Sequence, residues 1–328
     1  MSEPFRSVGP RERALYLKTL PFADALKPED VMMAALQMDE RRFDEGEALL
    51  DSTTPIDAMY ILVDGSARLE REREVVGRLE APARAGLIGL LASEGRKGGE
   101  RTPPGDIVAD STVRALELSG PLMEQLIDTS FDFLASLLRW VADQLLDEQP
   151  RALLASACAA LVTSTEAQLS LYDRVRWLHE STLFGQTDLD AVFEIARRQR
   201  PRRLEDGELL WRAGDDPDAV YSLVRGCVGG QEFVGLLEAL AGRPYSESAR
   251  ADGQVLGLEL RTEDLYTAMT DHGDIGIDLL RELAGWALEH RWRETDAEET
   301  EQVEDLDAAA PSREGEFRAT TGRLPAIE

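Results

Sequence analysis

Two stretches of this 328-residue chain repeat each other at a constant offset of 161 residues. The segment Phe43-Asp-Glu-Gly-Glu-Ala-Leu-Leu is echoed by Leu204-Glu-Asp-Gly-Glu-Leu-Leu-Trp. The same offset relates Asp57-Ala-Met-Tyr-Ile-Leu-Val-Asp-Gly to Asp218-Ala-Val-Tyr-Ser-Leu-Val-Arg-Gly. Because unrelated turns would not keep one register over such a length, the chain contains two copies of one domain, and each copy can be compared with the other.

The composition fits two ordinary globular domains and limits their partners. A chain of this length with 43% hydrophobic residues can bury a core in each copy. Its net charge of −27 disfavours nucleic acid and anionic membrane surfaces, both of which attract basic proteins. We therefore expect a protein partner, with no nucleic acid and no membrane. The oligomeric state cannot be predicted from the sequence.

Cysteine and histidine are too few for a metal site or a catalytic constellation. The chain has two cysteines, Cys158 and Cys227, and the three histidines His179, His272 and His290. This set gives neither a disulfide framework nor zinc-ligand spacing, and no nucleophile and base pair up in the sequence. We predict no enzyme activity, no catalytic residues, no metal and no cofactor. The N-terminus has no apolar signal region, so the expected location is the cytoplasm.

Helical and strand patterns alternate in the same order in both copies. Residues 10–40 have helical signals, short strands punctuated by glycines follow from residue 42 to about 118, and helix returns from Pro121. The predicted fold class is α+β, mainly a β jelly roll with flanking helices, with two such domains in tandem. The predicted boundaries are domain 1 at 1–147, a connecting helix at 148–171, domain 2 at 172–293 and a tail at 294–328.

Two features distinguish the second copy. Only eight residues separate Gly226 from Gly235, whereas twenty separate Gly65 from Gly86, so a hairpin of the second jelly roll must be shortened or missing.

The tail Glu294–Glu328 contains eleven Asp and Glu against three Arg. Such a segment buries too little apolar surface to order itself, and we predict that it is disordered.

The order of helix, jelly roll and helix, with the Gly-Glu turns and the Asp-to-Gly strands, resembles the cyclic nucleotide-binding domain family. That resemblance implies a phosphate-binding cassette reading roughly Phe-Gly-Glu-x-Ala-Leu-Leu, followed by Arg-x-Ala. In it, a helix N-terminus and the arginine contact the cyclic phosphate, and the glutamate accepts hydrogen bonds from the ribose. The segment from Leu240 to Gly253 is similar to the end of this cassette.

Neither copy has the cassette's two polar anchors. Leu87 and Leu236 stand at the glutamate positions, and Pro103 and Tyr245 stand at the arginine positions. The candidate ligand-binding positions are Gly86, Leu87, Arg101 and Pro103 in copy 1 and Gly235, Leu236, Arg243 and Tyr245 in copy 2. Each lost charged hydrogen bond removes about 1.5–3 kcal/mol, so binding of cyclic AMP or cyclic GMP in the usual mode is not expected.

The leading hypothesis is a regulatory or scaffold protein with degenerate cassettes that acts through protein–protein interaction. The alternative is a sensor whose copy 1 takes a cyclic nucleotide or another small anion in a noncanonical mode, helped by the loop Arg96–Arg101. A shift in the alignment would make Glu94 or Glu238 the ribose carboxylate. The basic run Arg197–Arg203 either binds an acidic partner or the tail, or is a charged approach to a strand.

Overall fold

The computed structural model describes residues 7–93, 102–103, 105–147, 169–181, 183–227 and 233–289. The predicted connecting helix falls almost wholly outside these residues, as do the loop 94–101 and the predicted tail. The remaining residues form two consecutive assemblies of helix, sheet and helix, here called repeat 1 and repeat 2. The predicted fold class is confirmed.

Repeat 1 places its strands between two pairs of helices. Its helices are α1 (Pro10–Leu17), α2 (Pro28–Gln37), α3 (Leu87–Ser93), α4 (Gly120–Thr129) and α5 (Phe131–Asp147). Its strands are β1 (Asp39–Phe43), β2 (Ala48–Leu50), β3 (Ala58–Asp64), β4 (Ser66–Arg71), β5 (Glu74–Glu80), β6 (Ala83–Ala85), β7 (Asp106–Ala109) and β8 (Val113–Ser119). They form two antiparallel sheets in the orders β1-β8-β3-β6 and β2-β7-β4-β5.

Repeat 2 follows the same order with a smaller second sheet. Its helices are α6 (Leu171–Glu180), α7 (Leu189–Arg198), α8 (Leu236–Ala241), α9 (Thr262–Asp271) and α10 (273–289). Its strands are β9 (Arg200–Leu204), β10 (Leu209–Trp211), β11 (Ala219–Cys227), β12 (Phe233–Val234), β13 (Ala249–Arg250) and β14 (Asp252–Arg261). The sheet orders are β12-β11-β14-β9 and β10-β13, and among the described residues no strands stand where β4 and β5 stand in repeat 1.

Equivalent hydrogen bonds show how closely the two repeats correspond. Gly46 N–H donates to the Ala109 carbonyl in repeat 1, and Gly207 N–H donates to the Ala251 carbonyl in repeat 2. The first pair of helices is also fixed in the same way. A guanidinium N–H of Arg13 donates to the Met38 carbonyl, and Arg174 donates to the equivalent Gln199 carbonyl at 2.8 Å. These arginines satisfy carbonyls at the ends of α2 and α7 that lack partners within their own helices.

Local sequence explains where several helices begin. Pro28 occupies the first turn of α2 together with Glu29 and Asp30, which suits both the missing proline N–H and the positive helix end. Helix α6 begins with a capping box in which Ser170 and Asp173 satisfy each other's backbone N–H groups. These signals place the helix starts without help from the rest of the fold.

Helix α5 joins the two repeats into one hydrophobic core. Several residues of this helix are buried, namely Phe133, Leu134, Leu137, Leu138, Val141, Ala142 and Leu145. Phe22 of repeat 1 packs edge-on against Phe133 at 5.7 Å between ring centroids. Helix α5 also packs against α8 of repeat 2, and residues of both repeats belong to the same core.

Candidate functional site

The cassette of repeat 1, defined as Gly86 and α3, lies under apolar side chains. Gly86 has a φ of +86°, a conformation that favours glycine, and its carbonyl accepts a hydrogen bond from Leu90 N–H. A Cβ added to Gly86 would lie 3.0 Å from Leu50 Cδ1 and 3.0 Å from the Ala58 carbonyl oxygen. The side chain of Leu50, from β2, therefore lies directly against the cassette glycine.

The second glycine of this cassette, Gly89, also lies against an apolar side chain. A Cβ on Gly89 would lie 2.0 Å from Ile56 Cδ1, so the isoleucine side chain occupies that space. Leu87, at the glutamate position of the resemblance, is only 6% exposed. Pro103, at the arginine position, is also buried, while Arg101 lies outside the described residues. The described side chains on and against α3 thus offer hydrocarbon contacts where the family's ligand would need polar ones.

The cassette of repeat 2, Gly235 to Tyr245, brings three of its four candidate residues together. Gly235 has a φ of +79°, and a Cβ there would lie 3.1 Å from the Tyr245 hydroxyl and 3.2 Å from the Ala219 carbonyl. Tyr245 is 2% exposed, and its hydroxyl donates to the Ala219 carbonyl at 2.9 Å. Leu236 begins α8 and is buried beside them. The tyrosine covers the glycine from the position that the resemblance assigns to arginine.

Trp211 completes this arrangement, and sequence reasoning had not singled it out. Its ring stacks on Tyr245 with centroids 4.1 Å apart and planes 13° apart, and its indole N–H donates to the Glu247 carbonyl. Trp211 is the equivalent of Leu50 at the offset of 161 residues. In the sequence, the replacement of leucine by tryptophan at this position was the one sign that Trp211 has a special role. In repeat 1 the residue at this position lies against the cassette glycine, and in repeat 2 it stacks on the tyrosine that does so.

Arg243, the remaining candidate of repeat 2, contacts repeat 1. One of its guanidinium nitrogens lies 2.6 Å from Asp147 and 3.4 Å from Asp143, both on α5. The carboxylates hold the pKa of Arg243 above its ordinary value, Asp147 contributing most. Because the side chain is 48% exposed, these ion pairs are screened and contribute modestly to stability. Arg243 therefore links the end of the repeat 2 cassette to the last helix of repeat 1.

A negatively charged cleft of about 680 Å³ opens beside the aromatic pair of repeat 2. It is lined by Trp211, Tyr221, Tyr245 and the acidic residues Asp215, Asp216 and Asp218. Burial, assisted by the nearby carboxylates Glu259 and Asp218, raises the pKa of the Tyr221 hydroxyl to about 12. Burial also raises the pKa of the Glu238 carboxyl on α8. The three aspartates would repel a phosphate anion that entered this cleft, and no basic side chain lines the described cleft to offset that repulsion.

The other candidates are dispersed over the described surface. In the basic run, Arg197 and Arg198 pair with Glu194, while Arg200 and Arg202 are exposed on the edge strand β9. No group of three or more His, Cys, Asp or Glu side chains among the described residues could hold a metal ion. In the same residues, no helix combines the length and apolarity needed to cross a membrane.

Comparison with solved structures matched regulatory and sensor domains at low sequence identity. The regulatory domain of Toxoplasma gondii PKA, co-crystallised with cAMP, is 15% identical, with 83% of this chain and 95% of that chain covered and a TM-score of 0.32. The regulatory subunit of a cAMP-independent protein kinase A from Trypanosoma cruzi, bound to guanosine, is 13% identical, with coverages of 86% and 90% and a TM-score of 0.31.

A single-domain structure was matched as well. The sensor domain of the transcriptional regulator DNR from Pseudomonas aeruginosa is 12% identical, covers 42% of this chain and 95% of its own, and gives a TM-score of 0.36. No protein-family profile matches the sequence, and no curated protein matches it. The order of elements and the sheet topology described above make both repeats cyclic nucleotide-binding-like in fold.

Proposed function

We propose that this chain is a non-enzymatic regulatory or scaffold protein whose two cyclic nucleotide-binding-like repeats have degenerate cassettes and act through protein–protein interaction. The observation that carries the proposal is the position of Tyr245. Its ring lies against Gly235, its hydroxyl is bonded to the Ala219 carbonyl, and one of its faces is stacked on Trp211. A ligand phosphate at the start of α8 would have to displace this buried, hydrogen-bonded ring.

Repeat 1 supports the same proposal with different residues. Leu50 and Ile56 lie against the two glycines of its cassette, and Leu87 is buried beside them. A phosphate placed there would lose its hydration and gain no charged partner from these side chains, which is costly for an anion. Loss of the polar anchors in both repeats, with the fold retained, is the pattern expected when a domain is kept for its surface.

The interface between the repeats supports a regulatory role for the pair as a unit. Helix α5 packs on α8, and Arg243 pairs with Asp143 and Asp147. A partner that moved α5 would also disturb the repeat 2 cassette, because the two helices share the core. The neighbours in the comparisons are regulatory and sensor domains, which agrees with a non-enzymatic role.

Thermal unfolding of the full chain with cyclic AMP, cyclic GMP and cyclic dinucleotides tests the proposal. A ligand present at about one hundred times its Kd would add about 2.7 kcal/mol of stability, which a melting curve resolves. We expect no shift. A reproducible shift would contradict the proposal, and the matched variants Arg101→Ala and Arg243→Ala would then locate the ligand. Loss of the shift in Arg101→Ala alone would support the alternative, an anion sensor in repeat 1.

A further inference from the structure

Helix α7 carries two large apolar side chains on its outer face. Leu189 is 57% exposed and Phe193 is 42% exposed, and a spacing of four residues puts them on one face, one turn apart. The inward positions of the same helix, including Val192 and Ile195, are fully buried. Phe193 is equivalent to Met32 of repeat 1, so this outer position is apolar in both copies.

An acidic cleft of about 660 Å³ lies at the N-terminal end of the same helix. Its charged or titratable lining residues are Asp188, Asp190, His272, Asp274, Asp278 and Arg281. Asp188 and Asp190 flank Leu189 in the chain, so the cleft and the first residue of the apolar pair lie at the same end of α7. Arg281 lies 3.4 Å from Asp278 and balances one carboxylate. Burial raises the pKa of Asp278, with Thr187 and Arg281 acting in the opposite direction.

The corresponding place in repeat 1 does not have the negative charge of this cleft, so the shared fold does not require it. Helices α9 and α10 correspond to α4 and α5 at an offset of 142 residues, because repeat 2 is shorter in the part before them. The residues of repeat 1 equivalent to the six charged or titratable lining residues are Lys27, Glu29, Ser130, Asp132, Ser136 and Arg139. Two acids and two bases stand there, whereas repeat 2 has four acids and one arginine. The negative charge is therefore specific to repeat 2, although the same helices form both places.

From these contacts we infer that the face of α7 with its acidic cleft, here called the α7 face, docks a basic amphipathic helix of a partner protein. The apolar side of such a helix would cover Leu189 and Phe193, and its lysines or arginines would enter the cleft. The net charge of −27 would steer a basic partner toward the chain. A second copy would bring the same negative face and is disfavoured as the occupant. Docking here deepens the proposed function by giving the partner a chemical class.

Fluorescence anisotropy of a labelled helical peptide tests this docking on the full chain. The probe is an amphipathic peptide of Leu and Lys at helical spacing, and the comparison peptide has the same composition in scrambled order. We expect the scrambled peptide to bind at least about tenfold more weakly, because it has no continuous apolar side. Equal binding of the two peptides would overturn the inference, because net charge alone would then explain binding.

Matched variants separate the α7 face from the charge of the whole chain. Asp190→Asn with Asp274→Asn removes two carboxylates from the cleft, and Asp216→Asn with Asp252→Asn removes two from the jelly roll of the same repeat. We expect the first double variant to weaken binding about tenfold and the second to have little effect. Equal weakening by both would overturn the inference.

A second pair of variants tests the apolar contact. Phe193→Ser should weaken binding by about tenfold or more, whereas Met32→Ser, at the equivalent position of repeat 1, should leave it unchanged. Equal effects would overturn the inference, as would a dimer that Phe193→Ser dissociates, because a second copy would then cover the face. Circular dichroism of each variant establishes that it is folded. Nucleotide-induced shifts report on the cassettes, so failure of the proposed function is distinguishable from failure of this docking.

Discussion

Tyr245 stacks on Trp211 with ring centroids 4.1 Å apart and planes 13° apart. The two residues come from different parts of the chain, β10 and the end of the cassette, and they meet beside Gly235. The contact converts the place where the family's arginine would stand into part of the packing of repeat 2. The consequences of this replacement, and of three other contacts, can be measured.

Two substitutions of Tyr245 should differ in cost. Tyr245→Phe loses only the hydrogen bond to the Ala219 carbonyl, and we expect the free energy of unfolding to fall by about 0.5–1.5 kcal/mol. Tyr245→Ala also loses the stacking and the buried ring, with an expected loss of about 3–5 kcal/mol. Urea unfolding measures both. Tyr172→Ala, at a side chain 73% exposed, is the control, and a similar loss there would contradict the prediction.

The contact between α5 and α10 should depend on the absence of a side chain at Gly276. A Cβ there would lie 2.8 Å from Leu134 Cδ2, so Gly276→Val should lower the free energy of unfolding by about 1–3 kcal/mol. Adding Leu134→Ala opens space, and the double variant should lose less than the two single losses combined. Gly273→Ala, which meets no atom within 4 Å, should change stability little. Additive losses would show that there is no steric conflict between a side chain at position 276 and Leu134.

A buried polar pair in repeat 2 replaces an apolar pair of repeat 1. The Gln199 side-chain amide donates to the Ser222 hydroxyl at 2.8 Å, where repeat 1 has Met38 and Ile61. Ser222→Ala should cost about 1–3 kcal/mol, because it leaves the buried amide without that partner. Adding Gln199→Met should recover much of the loss, since both polar groups are then gone. A double-mutant cycle by urea unfolding checks this, and no recovery would contradict it.

Stability at alkaline pH should depend on two equivalent tyrosines. Burial, assisted by Glu117 beside Tyr60 and Glu259 beside Tyr221, raises the pKa of each hydroxyl from 10.0 to about 12. The folded chain therefore holds these protons more tightly than the unfolded chain does. Their contribution to stability is complete below pH 10 and is lost as the pH rises toward about 12.

Denaturant unfolding across that pH range measures this effect. Tyr60→Phe and Tyr221→Phe should each make the alkaline decline shallower, because phenylalanine has no proton to lose. Tyr172→Phe, at an exposed side chain, is the matched control. An unchanged decline in both Tyr60→Phe and Tyr221→Phe would show that these two hydroxyls do not govern it.

Local sequence predicts much of the architecture. The glycine turns at Gly46 and Gly207, and the strands from Asp57 and Asp218, repeat at one offset and predict two copies of helix, jelly roll and helix. The sequence likewise predicts that Leu87 and Leu236 stand at the glutamate positions of the resemblance. These inferences succeed because turns, helix starts and alternating strands depend mainly on neighbouring residues.

The contacts of the cassettes needed the tertiary structure. Arg243 was a candidate ligand contact in the sequence, and it pairs with Asp147 of the other repeat. The apolar face of α5 likewise did not indicate that this helix packs against α8 of the other repeat.

The sequence by itself thus determined the duplication and the fold class, and it predicts the loss of the two polar anchors in each copy. Only the tertiary structure decided which side chains lie against the cassette glycines, namely Leu50 against Gly86 in one repeat and Tyr245, stacked on Trp211, against Gly235 in the other. The reason is physical: periodicity determines which face a side chain takes on its own helix or strand. The distances between residues far apart in the chain depend on how all the helices and sheets pack together.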